Sequence, residues 1–208
     1  MHFINVKGTK FVMDRGFFTA DNLRFLTDAG VRFIISVPNS SSFAKELIDT
    51  YRNQIVNHSE CRLGKNLPYA KTVIREDFGI RVKAHIYYSP TKVSAEEEIL
   101  FSEIEKCKRA LSEMTEPPAR NLHYDRYFKI NRSKDGRICF IRDTQKINSI
   151  ISLLGFFIIV ETDFNASSLE ILSTYRQRDV VEKSFDNLKN ELDMKRLFCH
   201  SDGTMEGK

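Results

Sequence analysis

The chain has 208 residues, 41% hydrophobic and 29% charged, with a formal net charge of +4. That composition suits a globular protein of one or two domains with a sizeable core. The longest apolar run, Leu153 to Val160, is too short to span a bilayer and no secretory signal opens the sequence, so a cytoplasmic protein with no membrane partner is expected.

Lys10 to Met13 reads as a short buried strand ending at Asp14. Gly16 permits a sharp turn, Thr19 is the expected N-cap of a helix carrying Leu23 and Leu26, and Gly30 is its C′ residue. Arg32 to Val37 follows as a second strand stopped by Pro38. Strand, helix and strand over this short span form a βαβ unit, so the two strands are expected to be parallel. Asp14 then stands at the carboxyl end of the first strand, where open α/β sheets place their ligands.

A helix is expected from about Ser42 to Asn53, using Phe43, Leu47 and Ile48. Ile80, Val82, Ala84, Ile86 and Tyr88 then alternate with Arg81, Lys83, His85 and Tyr87, as in a half-buried strand with a basic outer face. That face suits either plain solvation or DNA contact. Ser94 and Glu97 form a capping box for a helix to about Met114, with Leu100, Ile104, Cys107 and Leu111 along one side. Asp135-Gly136 reads as a hairpin turn before a strand from Arg137 to Ile141, and Phe156 to Val160 as a fully apolar strand. A long helix starts at Ser167 or Ser168 and is expected to run to about Asp193.

Local basic excess in Arg62 to Lys83 and in Arg120 to Arg137 suits phosphate contact, but the net charge does not by itself require a nucleic-acid partner. Cys61, Cys107, Cys139 and Cys199 contain no Cys-x2-Cys pair, which argues against zinc and for free thiols. Cys199-His200 is not expected to form a site, because adjacent side chains on an extended segment point opposite ways.

The last helix carries the most informative pattern. Tyr175, Arg178, Glu182 and Lys189 have the spacing Tyr-x2-Arg-x3-Glu-x6-Lys, which gathers them within roughly 60° on a helical wheel. The stripe borders Val181, Phe185, Leu188 and Leu192, the expected core-facing side. A carboxylate flanked by two cations and a phenol at the rim of a buried face suits phosphoryl-transfer chemistry.

Two segments together resemble the DDE transposases of bacterial insertion sequences. Val12 to Leu23, Val-Met-Asp-Arg-Gly-Phe-Phe-Thr-Ala-Asp-Asn-Leu, is similar to their second-aspartate motif. Tyr175 to Lys189, with the following Asn-Glu-Leu-Asp and Arg196 to Ser201, is similar to their third-carboxylate signature. The resemblance implies an α/β fold: a partial RNase H-like core, a βαβ unit plus catalytic helix, interrupted by a β-rich α+β insertion. The expected organisation is a partial core with the second Asp over 1–50, the insertion over 51–155, and a return strand with the Glu-bearing helix over 156–208. It also implies Mg²⁺-dependent DNA strand cleavage and transfer at a two-metal site, with Asp14 and Glu182 as catalytic metal ligands and Tyr175, Arg178 and Lys189 holding DNA. The implied partners are transposon ends and target DNA, together with intact transposase or an upstream fragment.

The family's first aspartate has no counterpart here. Residues 1–13 contain no carboxylate, and Asp202-Gly203-Thr204 mimics that motif only after Glu182 and in a polar tail. The expectation is therefore a transposase portion that is inactive alone. The alternatives are a non-catalytic DNA-binding or inhibitory remnant, a poorly folding remnant whose two parallel strands leave an edge and an apolar face exposed, and an unrelated α+β nuclease. The last would need a further acid beside Asp14, and Asp21 and Asp28 both fall on the helix rather than at the strand end.

Overall fold

The computed structural model describes residues 10–116, 118, 123–133 and 138–178. Strand β1 (Lys10–Met13), helix α1 (Ala20–Asp28) and strand β2 (Arg32–Val37) make the expected unit, with β1 and β2 parallel. Thr19 caps α1 by accepting from the Asn22 amide at 3.2 Å. At the other end Gly30, with φ of 68°, closes a Schellman turn in which Gly30 N–H donates to Thr27 O and Val31 N–H to Leu26 O, each at 2.9 Å.

Helix α2 (Ser42–Ile55), capped by Ser41, leads to the antiparallel pair β3 (Tyr69–Asp77) and β4 (Ile80–Tyr88). Alternation marks β4 in the sequence but not β3, whose apolar residues are interrupted by charges. Their tight turn puts both Phe78 and Gly79 at positive φ, 58° and 76°. This is costly for a bulky residue. The Phe78 ring offsets the cost by packing 5.5 Å from Phe18 and 5.3 Å from Phe43.

Helix α3 (Pro90–Glu113) begins at Pro90 rather than at the expected Ser94. Proline suits the first helical position, where its fixed φ is preset and its missing N–H costs nothing. Strands β5 (Phe128–Arg132) and β6 (Ile138–Arg142) form a separate antiparallel pair, and helix α4 (Thr144–Ile151) follows. The strand expected at Arg137 to Ile141 is thus β6; Arg137 itself and the Asp135-Gly136 turn lie outside the described residues. Strand β7 (Phe156–Glu161) and a helix α5 covering 168–178 complete the described fold.

The main sheet has the order β1-β2-β7-β4-β3, with β7 antiparallel to both of its neighbours. The α/β sheet is therefore mixed and five-stranded. The alternative of a remnant with two exposed parallel strands does not describe this sheet, because β7 hydrogen-bonds the inner edge of β2. One face packs Phe33, Ile35, Val82, Ala84, Ile86, Ile158 and Val160 against Leu23 of α1 and Phe43, Leu47 and Ile48 of α2. Each such side chain contributes about 1.5–3 kcal/mol on full burial. The other face packs Ile34, Tyr87 and Ile159 against Ile171 and Leu172 of α5. A second cluster gathers Leu100, Ile104, Cys107 and Leu111 of α3, as expected, with Tyr127, Phe128 and Ile147.

The basic outer face expected on β4 is a further correction. Lys83 is mostly covered, and His85 and Tyr87 are completely buried, because the segment from Thr162 into α5 lies across them. Among the described residues no helix is long and apolar enough to cross a membrane.

Candidate functional site

The parallel pair ends at Met13, and Asp14 leaves the sheet as the cap of a short 3₁₀ turn, Arg15–Phe17. Its Oδ1 accepts from the Arg15 amide at 2.7 Å while the carboxylate stays more than half exposed. The Arg15 N–H holds the Asp14 carboxyl below the usual aspartate range, and the charge of Arg178 adds to the effect.

Helix α5 brings the second half of the site. Ser167 and Glu170 form its capping box: Ser167 Oγ accepts from the Glu170 amide at 3.3 Å, and Glu170 Oε2 accepts from the Ser167 amide at 2.8 Å. Ile171 and Leu172 bury against the sheet and Tyr175 packs at the margin of the same cluster. One turn further, Arg178 places Nη1 3.4 Å from Asp14 Oδ1 and stacks its guanidinium 4.6 Å from the Tyr175 ring centre. This helix spacing is what lets a phenol and a guanidinium share one stripe beside the strand end.

Between β2, the start of α3 and α5 lies an open cavity of about 460 Å³ lined by Arg15, Asn39, Lys92, Glu96, Tyr175 and Arg176. Lys92 Nζ sits 4.6 Å from the Phe157 ring centre, and Glu96 Oε2 accepts from the Gly155 amide at 2.7 Å. With Arg15, Lys92 and Arg176 around one cavity, its net character favours anions, and a polyanionic backbone could follow it to Asp14.

Of the residues singled out in the sequence, Asp14, Tyr175 and Arg178 come together. Glu182 and Lys189 lie outside the described residues, as do the remainder of that helix, Cys199-His200 and Asp202-Gly203-Thr204. Asp14 offers the hard oxygen donor that magnesium prefers. Among the described residues, however, no cluster of three His, Cys, Asp or Glu side chains could hold a metal ion, so Asp14 would need carboxylates from elsewhere. Arg15, Lys92 and Arg176 escaped notice in the sequence. Arg15 and Arg176 each lie inside a motif segment, next to a residue already singled out, whereas Lys92 reaches the cavity only through tertiary packing.

A carboxylate at the end of a parallel strand is thus faced by an arginine from a later helix. The transposase DDE domain family matches residues 1–206, and the chain belongs to that family, whose members carry out DNA transposition of insertion sequences and generally use a divalent metal. No curated protein and no solved structure matches the chain.

Proposed function

We propose that this chain engages DNA at Asp14 and α5, and that Asp14 and Glu182 are the second and third carboxylates of an RNase H-like strand-transfer site. The observation that carries the reading is the approach of Arg178 to Asp14 at 3.4 Å across most of the chain. Tyr175, Arg178 and Lys189 hold the DNA backbone beside the bond that is cut. The guanidinium of Arg178 offers paired N–H donors to phosphate, and its neighbour Tyr175 both orients it by stacking and presents a phenolic donor. Arg15, Lys92 and Arg176 hold further phosphates in the adjoining cavity.

Asp14 and Glu182 would hold magnesium, which when bound supplies Lewis-acid stabilisation of the leaving oxygen and activates water or a DNA 3′-OH. Asp14 stays ionised for that role because Arg15 N–H and Arg178 favour its charged form. Residues 1–13 hold no Asp or Glu, so two of the family's three carboxylates are assigned within this sequence. We therefore propose that the 208-residue chain binds DNA but does not cut it alone. The isolated chain should show salt-dependent binding, with Arg178→Ala and Lys189→Ala together reducing affinity about tenfold or more and the salt slope by about 2. In a Mg²⁺ or Mn²⁺ nicking assay no product is expected. Robust nicking abolished by Glu182→Gln would overturn the proposed inactivity while supporting the site.

A further inference from the structure

A buried polar cluster beneath the first turn of α5 belongs to none of the contacts above. His85 of β4 and Glu161 of β7 are both fully buried. His85 Nε2 faces Glu161 Oε1 at 3.5 Å, while Nδ1 lies 3.0 Å from Ser168 Oγ and 2.9 Å from Thr72 Oγ1. The two hydroxyls are 2.7 Å apart. Lys83 Nζ reaches Glu161 Oε1 at 3.7 Å and donates to the Phe164 and Ala166 carbonyls, and Tyr87 Oη donates to the Ser168 carbonyl at 2.8 Å. Three successive residues on one face of β4, Lys83, His85 and Tyr87, thus hold the segment that launches α5.

Nε2 faces a carboxylate oxygen, which only accepts, so that nitrogen carries a proton. Nδ1 faces two hydroxyls, each of which can donate or accept, so Thr72 and Ser168 hold that edge of the ring. The ionisable groups facing His85 are Glu161 from β7 and Lys83 and Tyr87 from β4 itself; β3 presents the Thr72 hydroxyl and α5 the Ser168 hydroxyl. Farther along α5, the charge of Arg176 also reaches Tyr87. Glu161 Oε2 is buried without a hydrogen-bond partner among the described residues.

We propose that His85 is a positioning residue for the DNA site: through its contact with Ser168 it seats the first turn of α5, and so sets where Arg178 stands relative to Asp14. The inference rests on the reading of α5 as a DNA-contacting helix. The lever is sufficient. At 1.5 Å rise per residue, a tilt of about 5° at Ser168 moves Arg178 by roughly 1 Å, enough to break a charge-paired contact.

The test is fluorescence anisotropy of a labelled DNA duplex with the full chain at neutral pH, below each variant's melting temperature. His85→Ala should bind about tenfold more weakly at neutral pH. His85→Asn, whose Oδ1 can meet the Ser168 hydroxyl where Nδ1 does, should restore binding to within about twofold of wild type. Ser168→Ala removes the hydroxyl and should match His85→Ala, which keeps the inference testable if the latter does not fold. If Arg178→Ala weakens binding but His85→Ala binds as wild type does, or His85→Asn binds as weakly as His85→Ala, this inference is overturned and the site reading stands. If Arg178→Ala binds as wild type does, both are overturned.

Discussion

Asp163 is held by Lys10 at 3.0 Å and by Arg32 at 3.5 Å, tying the starts of β1 and β2 to the turn that precedes α5. The hydrogen bond from Lys10 holds the Asp163 carboxyl below its ordinary value of 3.8, and the Arg15 amide with Arg178 does the same for Asp14. For a carboxyl lowered by folding, the stabilisation is present above the unfolded value and is lost as pH falls through the folded one. Acid should therefore destabilise the fold below about pH 4, where both groups take up protons. Urea melts at stepped pH should show a shallower acid loss in Asp163→Asn. Asp14→Asn should change stability by less than about 0.5 kcal/mol because solvent screens its exposed pair. A loss as large for Asp14→Asn as for Asp163→Asn would contradict this ordering.

Gly155 shows how one backbone position joins two elements. It turns the chain into β7 at φ of 77°, receives the Ser89 amide on its carbonyl at 2.8 Å and donates to Glu96. A β-carbon there would meet Val93 Cγ2 at 2.6 Å and the Ser89 carbonyl at 3.0 Å. Gly155→Ala should cost about 2–4 kcal/mol, combining a left-handed backbone with overpacking. Thermal melting of the purified variant checks this, and an unchanged midpoint would contradict it. Elements controlled by local signals were legible in the sequence: the Thr19 cap, the Gly30 turn, both strands of the parallel pair, the apolar stripe of α3 and the run of β7. Where distant chain decides the outcome, the sequence was silent or misleading. β3 is a strand because β4 pairs with it, and Lys83, His85 and Tyr87 are covered by a segment far along the chain. The one local hint of that buried cluster was Glu161, a carboxylate continuing an otherwise apolar strand. At the candidate site, motif resemblance singled out Asp14 and helix spacing Tyr175 and Arg178, three residues that the fold brings together, while nothing local pointed to Lys92.

The described residues form two apolar assemblies of unequal size, the five-stranded sheet with its helices and the smaller cluster around α3, α4 and the β5-β6 pair. A two-stranded sheet backed by a small core opens more readily than the interior of a wide sheet. Hydrogen exchange should accordingly be slowest in β2, β4 and β7 and faster in β5 and β6; equal protection in both sheets would show a single cooperative unit. The placement of β7 also has a consequence for synthesis of the chain. β2 spans Arg32–Val37, yet its inner neighbour is Phe156–Glu161, with more than a hundred residues between them. At about 5–20 residues per second, a ribosome makes β2 roughly ten seconds before the strand that closes it. During that interval the nascent chain offers an open backbone edge, rich in Phe and Ile, to chaperones or to a neighbouring nascent copy.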